Sequence, residues 1–290
     1  MFEYKESKWA YDIIRLQKED GSWGYFHTLS NPSRQNPITT EQALRRLEIL
    51  GCTIEDEPVS RAVSYMQDCL EGKKAIPDRR EKVHDWDVFT ALMLSAWIRR
   101  FTKDIYSANE VAHKWAEIIS HAFAKGVYDS DMYVDAYKRV YRLPPKGARL
   151  LDFAVFYHVS LLSDVLDDKT ALPFMDYILH NKSGIYYIYG SELAKLPAEF
   201  KTKDASRYIA AVELLADYRN PGCREKLLFV ADWLNNNREP EGYWDMGTAV
   251  KDGVYFPLSD SWRRKENRIK DCTYRISRLI KKIEGLQFTI

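Results

Sequence analysis

The residues of this 290-residue chain whose types and spacing point to chemistry are carboxylates, guanidinium groups and aromatic rings. The densest cluster is His84-Asp85-Trp86-Asp87-Val88, where two carboxylates flank an indole. Mixed clusters recur later: Arg149 with Asp152, Asp204 with Arg207, and Trp262-Arg263-Arg264 followed by Arg268 and Asp271. Two carboxylates such as Asp87 and Asp271, with rings on which a sugar can stack, are the equipment of glycoside hydrolysis. Rings are plentiful at Tyr128, Tyr133, Tyr186, Tyr187, Tyr189, Trp244, Tyr255 and Trp262. Their π faces also stabilise carbocations, and the same rings serve equally as covers over helix ends. Asp85 and Asp87 have a non-catalytic explanation as well: a helix cap and an acid that compensates the helix dipole.

Several chemistries are excluded. There is no P-loop, no Gly-x-Ser-x-Gly elbow and no His-Glu-x-x-His. The cysteines, Cys52, Cys69, Cys223 and Cys272, form no Cys-x-x-Cys pair and no zinc spacing, so buried reduced thiols are expected and no metal. Asp164, Asp167 and Asp168 lie at an expected short turn, where they cap the next helix. No cofactor is called for.

The composition is that of an ordinary soluble chain, 46% apolar and 29% charged. Lys and Arg number 43 against 42 Asp and Glu, a net +1, so no whole-chain field draws it to nucleic acid. The start, Met1 to Lys8, lacks the apolar run of a signal peptide. The longest apolar stretch, Val88 to Ile98, is far short of the ~20 residues a membrane span needs. A cytoplasmic location is the expectation.

The elements that must position these groups repeat. Apolar stripes at helical spacing end in Gly-x-aromatic: Ile13, Ile14 and Leu16 before Gly21-Ser22-Trp23, and Ile118, Ile119 and Phe123 before Gly126-Val127-Tyr128. Two further stripes lead to Gly184-Ile185-Tyr186 and Gly242-Tyr243-Trp244, and a degenerate copy ends at Gly72. The five glycines are 51, 54, 58 and 58 residues apart, each interval long enough for two helices. Thr39 with Gln42 reads as a capping box, Gly51 as a stop, and Asp85 or Asp87 as the cap of a helix through Trp97. Helices are likewise expected over 6–19, 150–166, 204–218 and 266–283. Long loops over 24–38, 73–84, 127–148, 185–203 and 243–265 then gather at one end, each feeding an inner helix. The unpaired first and last helices can close a ring. An open solenoid is the alternative, but it calls for polar end repeats. Here Trp9 and Ile13 begin the series and Leu279, Ile280 and Ile283 finish it.

Lys8 to Gly24, with Ile13, Gln17, Gly21 and Trp23, resembles the glutamine–tryptophan motif of squalene–hopene and oxidosqualene cyclases. In that family the Gln stacks on the Trp and ties neighbouring helices together. The match is partial at Trp233 to Gly247, where Asn residues replace the Gln. The resemblance implies an all-α fold, an α/α toroid of five to six helical hairpins in inner and outer layers, shared by terpene cyclases and protein prenyltransferase β subunits. His84 to Val88 is similar to the first three positions of the Asp-x-Asp-Asp acid motif of class II terpene cyclases. The resemblance implies Asp87 as the proton donor to an alkene or epoxide, with Asp85 as its partner. Val88 stands where that motif has its last Asp. The zinc set of the prenyltransferases is not matched, since Asp271 and Cys272 are adjacent and no His follows His180.

The expectation is therefore one domain over 1–290, with a pocket at the long-loop end. Its catalytic candidates are Asp87 and Asp85; its ligand-binding candidates are Trp86, Arg149, Asp152, Arg207, Trp244, Trp262, Arg263, Arg268 and Asp271. The ligand is a small or isoprenoid-like organic molecule, with acid-catalysed cyclisation as one outcome. A carbohydrate-active α/α barrel and a non-catalytic ligand- or partner-binding module are the alternatives. A cyclase usually divides its site between two helical domains; a single toroid leaves its cavity open at one end, which suits a binder, a homodimer or a small substrate.

Overall fold

A computed structural model describes residues 4–30, 34 and 37–286; residues 31–33 and 35–36 of the expected loop 24–38 lie outside them. The chain is all-helical, 54% helix with no strand among the described residues. Its contacts cluster into two compact units, Met1–Ala112 with Leu258–Asp260, and His113–Pro257 with Ser261–Ile290.

In the first unit, α1 (Lys8–Ile14), α2 (Thr40–Ile49), α3 (Glu57–Leu70) and α4 (Trp86–Phe101) pack each against the next in chain order. Each start has a local cause. Ser7 caps α1, and Thr39 and Gln42 form the expected capping box on α2, at 3.2 and 3.1 Å. Asp85 caps α4. Leu44, Leu47, Ala62, Met66, Phe89, Leu92 and Trp97 are buried where the stripes face inward. Residues 258–260 join this unit through α1: Trp9 Nε1 donates to the Ser259 carbonyl at 2.9 Å and Lys8 N to Asp260 at 2.8 Å. Helix α5 (Tyr106–Ala122) begins here and ends in the second unit.

The second unit continues with α6 (Ser130–Tyr141), α7 (Ala148–Leu151), α8 (Phe156–Leu161), α9 (Asp168–His180), α10 (Lys203–Leu215), α11 (Pro221–Glu225), α12 (Leu228–Asn236) and α13 (Lys265–Glu284). Two expectations are corrected. The supposed loop 127–148 contains α6, capped by Asp129 and burying Tyr133 and Tyr137, four residues apart on one face. The helix expected over 150–166 is interrupted. Asp152 accepts from Ala154 N at 2.9 Å, and Tyr186 pairs with the backbone of Ala154 and Phe156. Those bonds engage backbone groups that a continuous helix would have used.

The repeat is visible in backbone geometry. Gly21, Gly72, Gly126, Gly184 and Gly242 all have positive φ, and each donates its N–H to the carbonyl three residues earlier. Two copies match in greater detail. Trp23 Nε1 donates to the Ile13 carbonyl and Trp244 Nε1 to the Leu234 carbonyl, both at 2.7 Å and both ten residues back. Each indole thus satisfies a carbonyl near the end of its preceding helix. Gln17 Nε2 donates to the Gly21 carbonyl at 2.9 Å and also to that of Pro58, at the start of α3, at 2.7 Å.

Candidate functional site

The start of α4 forms the wall of a cleft of about 500 Å³. It lies within the first unit, between loop 26–30 and the segment 78–86, and is lined by His27, Ser30, residues 78–83 and Trp86. Asp78 holds the two segments together. Its carboxylate accepts from Phe26 N at 2.6 Å, His27 N at 2.9 Å and Ser30 Oγ at 2.6 Å. His27 is buried and packs edge-on to Phe89, as His84 does from its own side.

Next to His27 stands Glu41, a buried carboxylate on α2. It accepts from Thr28 N at 2.7 Å and Trp97 Nε1 at 2.8 Å, with the Arg45 guanidinium 3.9 Å away. Burial pushes its pKa up, but the charges of Arg45 and His27 and the bonds from Thr28 and Trp97 hold it below the usual carboxylate range. Glu41 ties loop 26–30 to the core through α2 and α4.

The two aspartates named from sequence differ in their surroundings. Asp85 accepts from Val88 N at 3.1 Å and is the helix cap. Asp87 points to solvent, its side chain 76% exposed and paired with Arg80 at 3.0 Å. A proton donor to an alkene needs burial or a carboxylate neighbour; Asp87 has a water-exposed cation instead. The acid role implied by the resemblance therefore lacks its physical basis. Trp86, between them, is half-buried against the cleft.

The remaining candidates belong to the second unit. Arg149 lies on α7 over the Tyr187 ring, 5.6 Å from its centroid, and Asp152 closes α7 rather than opening an inner helix. Arg207 and Arg263 are exposed. Trp244 is buried and bonded to Leu234 as above. Trp262 Nε1 donates to Asp271 at 2.6 Å, both residues buried. Arg268 makes a two-pronged pair with Asp245, at 2.6 and 2.7 Å, and this pairing lowers the Asp245 pKa. Apart from the exposed Arg207 and Arg263, these side chains are held by internal contacts, and Tyr133, Tyr189 and Tyr255 are likewise buried as packing.

Some residues escaped the sequence. Arg238 does for Gly242 what Gln17 does for Gly21, its Nε donating to that carbonyl at 2.8 Å. Aligning the two glycines would have placed Arg238 opposite Gln17. His158 is fully buried on α8, edge-on to Trp115 at 4.4 Å, and among the described residues neither ring nitrogen has a hydrogen-bond partner. Burial pushes its pKa down to about 3, so the ring is neutral. Nothing local in the sequence marked it, nor Asp78, whose partners lie about fifty residues away.

Among the described residues no group of three or more His, Cys, Asp and Glu side chains could hold a metal ion, and no helix is long and apolar enough to cross a membrane. Compared with protein-family models, curated proteins and solved structures, the chain matches none.

Proposed function

We propose that this chain is a helical-repeat protein of the α/α-toroid kind, akin to terpenoid cyclases and prenyltransferase β subunits, that binds a small or isoprenoid-like organic ligand without acid catalysis. The architectural part is supported by the five glycine turns with one shared hydrogen bond and by two copies of the indole-to-carbonyl contact. The observation that carries the binding part is the cleft at the start of α4, formed where a long loop feeds an inner-type helix and walled by a half-buried indole. Small-molecule sites are concave and combine apolar walls with placed polar groups. Here Trp86 and Val83 supply the apolar wall, and the charged residues of 78–82 form the more numerous polar part. The exposure of Asp87 and its pairing with Arg80 favour binding over protonation chemistry.

Native mass spectrometry and calorimetry of the full chain with geraniol and farnesol, against cellobiose, test this. Saturable one-to-one binding of a terpenol is expected, with Trp86→Ala weakening it about ten-fold or more, as loss of a buried aromatic anchor does. Binding of cellobiose alone would favour the carbohydrate alternative, and binding of none of the three overturns the proposal.

A further inference from the structure

We infer that the second unit carries a contact surface for single-stranded nucleic acid, built from the end of α6, from α7 and from the turn at Tyr186 and Tyr187. Between Asp135 and Asp152 the chain has five cations and no acid: Lys138, Arg139, Arg142, Lys146 and Arg149. The acids near them are mostly engaged. Glu117 on α5 meets Arg139 at 3.5 Å, and Asp152 accepts from Ala154 N at 2.9 Å. Asp135 is exposed one turn before Arg139. Lys138, Arg142 and Lys146 are exposed and make no ion pair among the described residues. Lys138 and Arg139 complement the negative end of α6, but Arg142 and Lys146 lie beyond it. A whole-chain sum of +1 conceals this local excess, and the attraction it exerts is short-ranged.

Beside the cations stands an open ring. Arg149 lies over Tyr187, and the Tyr186 ring, 4.3 Å from that of Tyr187, is 50% exposed. The turn that presents them is firmly held. Ile185 and Tyr189 exchange backbone hydrogen bonds at 2.9 and 3.0 Å, and Tyr186 N donates to the Ala154 carbonyl at 2.9 Å. Among the described residues two that are not glycine have positive φ, Arg142 at 61° and Tyr187 at 75°. Left-handed backbone is unfavourable for bulky L residues, and such strain gathers at functional sites. Both strained residues belong to this one surface. A ring open to solvent suits a nucleobase, and cations spaced along the chain suit successive phosphates. An acidic peptide would match the charges and leave the ring without a planar partner.

Fluorescence anisotropy of the full chain with a labelled oligothymidylate of about 20 nucleotides, longer than one site, tests this. Saturable binding is expected at low salt. The logarithm of the affinity should fall with the logarithm of salt at a slope of about −2, the value for three phosphates on a single strand. The chain carrying Lys138→Ala, Arg142→Ala and Lys146→Ala should lose about ten-fold or more in affinity and show a flatter slope. Tyr186→Ala should weaken binding about ten-fold with the slope unchanged, because stacking is uncharged. These four side chains are exposed, so the fold survives their truncation. No binding at low salt, or an affinity that survives the triple substitution, overturns the inference. So does polyglutamate that competes as well as unlabelled oligothymidylate, or a Tyr186→Ala chain that binds unchanged, since either describes a surface that reads charge alone.

Discussion

Asp85 and Asp87 show how one sequence pattern divides into different physical roles within three residues. Asp85 accepts from the backbone of Val88 and so satisfies one orphan donor of α4. Asp87 meets only an exposed arginine, an arrangement that contributes little to stability. Asp85→Ala should therefore cost about 1 kcal/mol in denaturant unfolding, and Asp87→Ala under about 0.5 kcal/mol. An equal and large loss for both would mean that Asp87 has a role its exposure hides. His158 presents the reverse situation, a fully buried titratable ring with no hydrogen-bond partner among the described residues. Its pKa is lowered to about 3 from an unfolded value near 6.5. The unfolded chain thus binds the extra proton first, and stability present above pH 6.5 is lost as the pH falls toward 3. At about 1.4 kcal/mol per unit, the native chain should lose roughly 2–3 kcal/mol more between pH 6.5 and 4.5 than His158→Phe does. Identical acid profiles for the two chains would place the proton elsewhere. The capping role of Asp85 was readable because caps are local; the solitude of His158 was not, because it depends on Trp115 and the core around α5 and α6.

At the scale of elements, the turn glycines were legible and their unequal constraints were not. All five have positive φ, yet their neighbours differ. A Cβ on Gly21 would lie 2.5 Å from the Arg61 carbonyl oxygen on α3, whereas one on Gly72 would meet nothing within 4 Å. Gly72→Ala should cost only the conformational term, about 1–2 kcal/mol. Gly21→Ala adds a backbone clash and should cost about 3 kcal/mol or more by denaturant unfolding. Equal costs would mean that α3 yields freely. The helix over 150–166 and the loop over 127–148 were misread for related reasons. Hydrophobic stripes report which face is apolar, and they carry no sign of a distant strand-like segment such as Tyr186 that claims the backbone of Ala154 and Phe156. Helix α6 falls inside the expected loop 127–148. Asp129 as a cap and the four-residue spacing of Tyr133 and Tyr137 make it a helix.

At the scale of the molecule, near-neutral charge and scattered cysteines argued against nucleic-acid and zinc-binding classes but indicated no ligand. Composition sums over the chain, whereas a site depends on which side chains lack internal partners. Most sequence-named cations and acids turn out to be engaged within the protein: Arg268 with Asp245, Asp271 with Trp262, Asp87 with Arg80. The cleft beside Trp86, in the first unit, keeps exposed charged side chains next to a half-buried indole. A ligand that binds there must slow hydrogen exchange where the cleft is built. At a hundred-fold excess over its dissociation constant, stabilisation reaches about 2.7 kcal/mol, enough to read by exchange. Protection is expected at 26–30 and 78–88, whose amides are held by Asp78, Glu41 and Asp85. The segments around Trp262 and Arg268 should exchange as before, because their polar groups are already satisfied by Asp271 and Asp245. Protection confined instead to those segments would move the site to the second unit and leave the cleft at α4 without a ligand.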